Sequence, residues 1–131
     1  MVVSYVRDIR CRNPFAHVII CTACDEDLTV PANDSVEIET DFKYLCEKYI
    51  IEVYSSSSFQ LEVFMWSGDK WVRHPSCVNP LAPFETVDES GARIYYVKQI
   101  IGDVLGRTKL RIVNKSSTDI SLRVKWLCKI P

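Results

Sequence analysis

The sequence predicts a mainly β domain, an antiparallel two-sheet β-sandwich of jelly-roll type with at most one short helix. Three observations predict it. Residues 109–128 alternate, with Leu110 and Ile112 opposed to Arg111, and later Ile120, Leu122, Val124 and Trp126 opposed to Ser121, Arg123 and Lys125. Residues 59–66 alternate as well, with Phe59, Leu61, Val63 and Met65 on one face and Gln60, Glu62, Phe64 and Trp66 on the other. Successive side chains of a strand point to opposite faces, so period two marks strands with distinct faces. Finally, turn-forming clusters recur between the runs, as they do in sandwiches and jelly rolls.

Taken in order, residues 18–21 form an apolar run that suits a strand buried on both faces. Leu28-Thr29-Val30 leads into the turn Pro31-Ala32-Asn33-Asp34, after which Val36 and Ile38 alternate with Glu37 and Glu39 as a half-buried strand. Residues 41–49 are the one helix candidate: Asp41 can cap, and Phe42, Leu45, Cys46 and Tyr49 fall at helical spacing. Residues 49–54 alternate as a strand, and Ser55-Ser56-Ser57-Ser58 is a polar connection too short to separate domains. The strand at 59–66 turns at Ser67-Gly68-Asp69-Lys70 and returns through Trp71-Val72-Arg73 as a hairpin. Residues 74–83 carry Pro75, Pro80 and Pro83 and read as an irregular loop. Asp88-Glu89-Ser90-Gly91 is a turn, 93–97 a strand, and 102–107, with Gly102 and Gly106, a further loop. A second hairpin then closes the chain, with 109–113 and 120–128 joined by Asn114-Lys115-Ser116-Ser117-Thr118-Asp119.

At 131 residues the chain reads as one domain, 1–131, large enough for a hydrophobic core. Its 47% apolar and 25% charged residues are ordinary for a globular domain. No apolar run approaches the length of a membrane span. The start, Met1-Val2-Val3-Ser4-Tyr5-Val6-Arg7-Asp8, shows no signal peptide, so the expectation is a protein not secreted by that route. Asn33-Asp34-Ser35 and Asn114-Lys115-Ser116 match the glycosylation pattern, a short match that occurs by chance.

The net charge of −1 favours no class of partner, but its distribution is uneven. Residues 1–97 carry 8 basic and 15 acidic side chains, whereas 98–131 carry 8 basic and 2 acidic. One reading is a basic surface, with Arg111, Arg123 and Lys125 as a stripe for nucleic acid or an acidic partner. The reading we favour sets basic strands beside acidic ones in the same sheet, with Glu37, Glu39, Glu52 and Glu62 as outward partners.

Six cysteines invite a metal reading. Cys21-Thr22-Ala23-Cys24 has the spacing that lets a loop wrap zinc with two thiolates, and His74-Pro75-Ser76-Cys77 repeats it with an imidazole. Cys21, Cys24, His74 and Cys77 would together hold a structural zinc if the fold joined the two segments. Against this stand two alternatives: Cys11, Cys46 and Cys128 as buried small hydrophobes, or disulfides, whose pairing six cysteines leave open. A redox role for Cys21 and Cys24 is disfavoured, because Asp25-Glu26-Asp27 follows and negative charge raises a thiol pKa.

Phe64, Trp66 and Trp71 are the second candidate site. They form an aromatic binding surface if their face is open, and ordinary core if the strand is buried on both sides or the 74–83 loop covers it. His17 and His74 are the two histidines, and no nucleophile elbow, phosphate loop or His-Glu-x-x-His motif accompanies them, so we expect no enzyme.

As a whole the chain resembles the small proteins encoded by viruses of hyperthermophilic archaea, the spherical virus of Pyrobaculum among them. The resemblance is carried by a strand-rich chain, cysteines without a signal peptide, and the segment Leu28-Thr29-Val30-Pro31-Ala32-Asn33-Asp34-Ser35-Val36-Glu37-Ile38. It implies a viral origin, a hot host cell and tolerance of disulfides. The charged fraction departs from the Lys and Glu enrichment common in hyperthermophile proteins. The expected role is a binding or assembly module, a viral structural or accessory protein of the host cytoplasm or virion, acting through protein partners or self-association. A zinc-stabilised regulatory or nucleic-acid-binding module is the alternative.

Overall fold

Among the described residues, nine strands and no helix occur: β1 Val3–Val6, β2 Arg10–Arg12, β3 Ile19–Val30, β4 Asp34–Ser55, β5 Gln60–Trp66, β6 Trp71–Arg73, β7 Phe84–Val87, β8 Arg93–Asn114 and β9 Ile120–Ile130. The computed structural model describes residues 3–6, 10–12, 19–75 and 78–130, and side chains within these except at 3, 10–12, 19–21, 41–47, 102–105 and 130. The hydrogen-bonded order is β2-β3-β9-β4-β8-β5-β6, with β1 added to β4 and β7 to β8. Among the described residues β1 pairs with β4 in parallel, and the other strand pairings are antiparallel.

β4 and β8, at 22 residues each, are long enough to serve two sheets. Their ladder runs from Asp34 opposite Asn114 to Ser55 opposite Tyr95. The half of β4 from 48 to 55 also pairs with β9, and β9 pairs with β3, which builds the first sheet. The half of β8 from 108 to 113 also pairs with β5, which builds the second. The sheets then pack face to face. Tyr49, whose ladder neighbour is Ile101, sets its hydroxyl 3.2 Å from Thr108 Oγ1 in the other half of the ladder.

The bend lies where the register slips. The step from Phe42 to Cys46 on β4 is matched by only Gly106 to Val104 on β8, a bulge of the kind that turns strand direction. Gly106 takes φ +94°, a conformation that L side chains rarely adopt, so glycine is what lets β8 turn here.

Two expectations are corrected at this bend. Residues 41–49 are strand, not helix, because the bulge displaces the period-two pattern and leaves Phe42, Leu45, Cys46 and Tyr49 at a spacing that mimics a helix. Residues 102–107 are part of β8 rather than a loop, since a strand turned by a glycine keeps its ladder. A third correction concerns pairing. The strands flanking Asn114–Asp119 do not pair with each other: β8 bonds β4, β5 and β7, whereas β9 bonds β3 and β4. The turn is therefore a crossover between sheets, and alternation alone says which face is buried, not which strand lies alongside. β5 and β6 do form the expected hairpin, with Trp66 opposite Trp71.

One hydrophobic cluster fills the space between the sheets. The first sheet contributes Tyr49, Ile51, Val53, Val97, Ile101, Leu122, Val124 and Trp126, and the second Val36, Ile38, Leu61, Val63, Leu110 and Ile112. At one end the turn after β3 meets the turn after β8. Asn114, 1% exposed, donates from Nδ2 to the carbonyls of Val30, Pro31 and Thr118 at 3.1, 3.2 and 2.8 Å. Its Oδ1 accepts from the Ser116 amide and hydroxyl. Ala32 N donates to Asp119 Oδ1, and Asn33 N to the Ser116 carbonyl, so the two crossovers are laced together. Asn79 and Leu81 close the edge of β5 beyond β6: Leu61 and Leu81 exchange backbone bonds, and Asn79 Oδ1 accepts from Val63 N at 2.7 Å. Among the described residues no helix is long and apolar enough to cross a membrane.

Candidate functional site

The fold has two outward sheet faces, and they differ in chemistry. On the second sheet, Phe64 and Trp66 of β5 and Trp71 of β6 point outward, and β8 lays three cations across them. The Arg107 guanidinium lies 4.7 Å from the Trp66 ring centre and 5.1 Å from Trp71. Lys109 Nζ sits 4.5 Å from Trp71 and 5.3 Å from Phe64, and the Arg111 guanidinium 4.7 Å from Phe64. Acids tie the cations down: Glu39 binds Arg107, Glu37 binds Lys109 at 3.2 Å and Arg111 at 2.8 Å, and Glu62 bridges Arg111 and Arg73. Lys109, only 8% exposed, is thus held between a carboxylate and two ring faces. Phe64, Trp66, Trp71 and Arg111 lie together here in a half-buried ladder whose rings are capped by cations.

Burial opposes the charge on Glu37, and hydrogen bonds from Arg111 and Lys109 outweigh it, leaving its carboxyl below the usual range. A lowered folded pKa means that this stabilisation is complete above the unfolded value, about 4.3, and is lost as pH falls through the folded value. Glu37→Gln is expected to cost about 2 kcal/mol at neutral pH, since it leaves Lys109 partly buried without its carboxylate. In urea titrations its deficit against the parent protein should shrink as pH is lowered through the carboxylate range; a deficit independent of pH would contradict this.

The uneven charge has the physical cause favoured above. Besides those pairs, Lys98 lies 3.5 Å from Glu52, and Arg123 lies 2.6 Å from Asp25 and 3.4 Å from Asp27. Arg111 and Arg123 are not neighbours. Arg123 stands beside Tyr54, which stands beside Tyr96 near the start of β8, whereas Arg111 is near its end. Arg123 and Lys125 belong to the outer face of the first sheet.

Of the proposed zinc ligands, Cys24 is a buried thiol outside any disulfide on β3, and His74 is buried just after β6, where burial favours its neutral imidazole. β9, β4, β8 and β5 stand between those strands in the hydrogen-bonded order. The side chains of Cys21 and Cys77 lie outside the described residues, and among the described ones no three His, Cys, Asp or Glu converge as a metal site. Cys128, 1% exposed, is disulfide-bonded, and in register it stands opposite Cys21.

The outer face of the first sheet holds residues that sequence reasoning missed. Cross-strand register sets Phe84, Tyr96 and Tyr54 in one row, with ring centres 5.7 Å and 6.3 Å apart. Two residues along each strand comes a charged row, Lys98, Glu52, Lys125 and Asp25, and after it an aliphatic row, Ile100, Ile50 and Leu127. Phe84 is 64% exposed, Ile100 54% and Tyr54 39%. Burial and the neighbouring Glu52 charge hold the Tyr54 hydroxyl protonated to higher pH than usual.

No protein-family model and no curated protein matches the chain. Solved structures do. The pre-peptidase C-terminal domain of collagenase from Bacillus anthracis is similar at TM-score 0.54 and 5% identity, over 96% of each chain. CorA, a surface-associated copper-binding protein of Methylomicrobium album BG8, is similar at TM-score 0.52 and 10% identity over 100% of each. PliG of Aeromonas hydrophila, a periplasmic inhibitor of g-type lysozyme, is similar at TM-score 0.51 and 10% identity, over 98% of this chain and 99% of that one. At such identities the likeness is one of fold, and the fold that this chain shares with them is a β-sandwich.

Proposed function

We propose that this chain is a non-enzymatic binding or assembly module that works through protein–protein contacts. The observation that carries the proposal is the outer face of the first sheet, where Phe84, Tyr96, Tyr54 and Ile100 present apolar surface to solvent. Exposed aromatic and aliphatic groups gathered on one face, with charges interspersed, are what protein interfaces are built from. The corresponding aromatics of the second sheet are capped by cations, which leaves the first sheet as the docking face. That a sandwich of this type can serve such a role is supported by analogy with the lysozyme inhibitor of the same fold. With the resemblance to archaeal-virus proteins, the role we assign is that of a viral structural or accessory protein of the host cytoplasm or virion.

The test is affinity capture from host-cell lysate combined with native mass spectrometry of the purified chain. The expected result is a stoichiometric complex, with itself or with another protein, that is lost on Tyr54→Ser with Ile100→Ser. A chain that stays monomeric and captures no stoichiometric partner overturns the proposal.

A further inference from the structure

We infer that the partner of the first sheet's outer face is a second copy of this chain, docked face to face about a two-fold axis parallel to the strands and passing between β4 and β9. The inference rests on the assembly reading above and names its partner. The charged row carries it. Across β8, β4, β9 and β3 the row reads Lys98, Glu52, Lys125, Asp25, alternating positive and negative. A two-fold axis of that orientation lays the row over its own reverse. Lys98 then meets Asp25 of the other copy, and Glu52 meets Lys125, so all four contacts join opposite charges.

In the flanking rows the match is partial: Tyr96 comes to face Asp27 of the other copy and Ile100 its Thr22, while Phe84 on β7 lies outside the overlap. Tyr54 comes to face Arg123 of the other copy, a ring against a guanidinium, and Ile50 comes to face Leu127. An isologous interface requires this kind of self-complementary surface, and an even row of alternating sign has it only about an axis through its centre. Under this axis the overlap covers the four strands β8, β4, β9 and β3, roughly 19 Å across, and about 20 Å along the strands, a footprint below that of stable specific interfaces and suited to a weak dimer. The expected product is a reversible dimer whose population depends on protein concentration and falls with added salt.

Sedimentation velocity of the full chain from about 1 µM to about 1 mM tests it. Wild type should show a monomer–dimer equilibrium in the micromolar range. Glu52→Lys alone sets positive against positive at the centre of the interface, and Lys125→Glu alone sets negative against negative. Each should dissociate at least about tenfold more readily. Mixed in equal amounts, the two variants again oppose unlike charges along the whole row, and a heterodimer should return to wild-type strength. Because Glu52 is only 18% exposed, the exposed pair Asp25→Lys and Lys98→Glu provides a second mixture with the same expectation. Wild type that stays monomeric overturns the inference and leaves the assembly reading to the capture experiment. A wild-type dimer indifferent to these substitutions, or mixtures no stronger than the single variants, overturns this face while the assembly reading stands.

Discussion

Trp126→Ala is expected to remove about 3–5 kcal/mol of folding stability, a large share of the roughly 5–15 kcal/mol typical of a domain. Trp126 is fully buried on β9, between the two sheets, and meets the ring of Tyr49 edge to face at 5.8 Å. Tyr49 in turn reaches Thr108 across the sandwich, so the indole supports a hydroxyl contact that spans the layers. An alanine leaves a void that neighbours such as Ile51, held in ladders on both sides, cannot close. Trp126→Phe keeps a ring in place and should cost clearly less. Urea denaturation followed by far-ultraviolet circular dichroism is the suitable measurement, since the substitution removes a fluorophore. An unchanged slope with a lowered midpoint would mean lost stability rather than an altered unfolded state. A loss below about 1 kcal/mol would contradict the packing described here.

Asn114→Ala should cost about 3 kcal/mol, because it strips donors from buried carbonyls and an acceptor from the Ser116 amide at once. Asn114 binds two crossovers, with Val30 and Pro31 on one side and Ser116 and Thr118 on the other. Asn114→Asp is the sharper experiment. It preserves shape but replaces a donor by a carboxylate oxygen facing those carbonyls, so the new carboxyl should titrate above its unfolded value. Its folded pKa being raised, the penalty is absent below the unfolded value, about 3.9, and grows as pH rises through the folded one. Compared with wild type at each pH, Asn114→Asp should therefore recover toward acid, whereas Asn114→Ala should not. Parallel behaviour of the two variants would show that volume, not hydrogen bonding, is what Asn114 supplies.

The interior was largely legible in the sequence and the connections were not. Ile120, Leu122, Val124 and Trp126 alternate with polar residues and are all buried, as are Leu61 and Val63, because period two is a property of the backbone itself. The pairing of Glu37, Glu39, Glu52 and Glu62 with cations of β8 was also accessible, since outward charges in neighbouring strands have each other as nearest partners. What lies alongside what is a different matter. Nothing local tells Ile120 that it will pair with Val30 rather than with the strand just before it. The bulge between Phe42 and Cys46 and the positive φ of Gly106 break local patterns where the chain changes sheets, so strand there mimics helix and loop. Phe84 lies in a four-residue strand behind a proline-rich segment, too short to display alternation, and its row with Tyr96 and Tyr54 exists only across three strands. A surface assembled from single residues of separate strands leaves no signature in any one of them.

Because β4 and β8 run through both sheets, neither sheet is a separate folding unit. The ladder from Asp34 opposite Asn114 to Ser55 opposite Tyr95 joins segments far apart in sequence, so most of its loop-closure entropy is lost before the contacts that compensate it form. Folding should be slow for the length of the chain, and native-state hydrogen exchange should report one cooperative opening for β4, β8 and β9 rather than one for each layer. During synthesis β4 emerges before β8 and β9 exist, with bare edges on a long strand, and is vulnerable to mispairing until the ribosome has delivered the second half of the ladder.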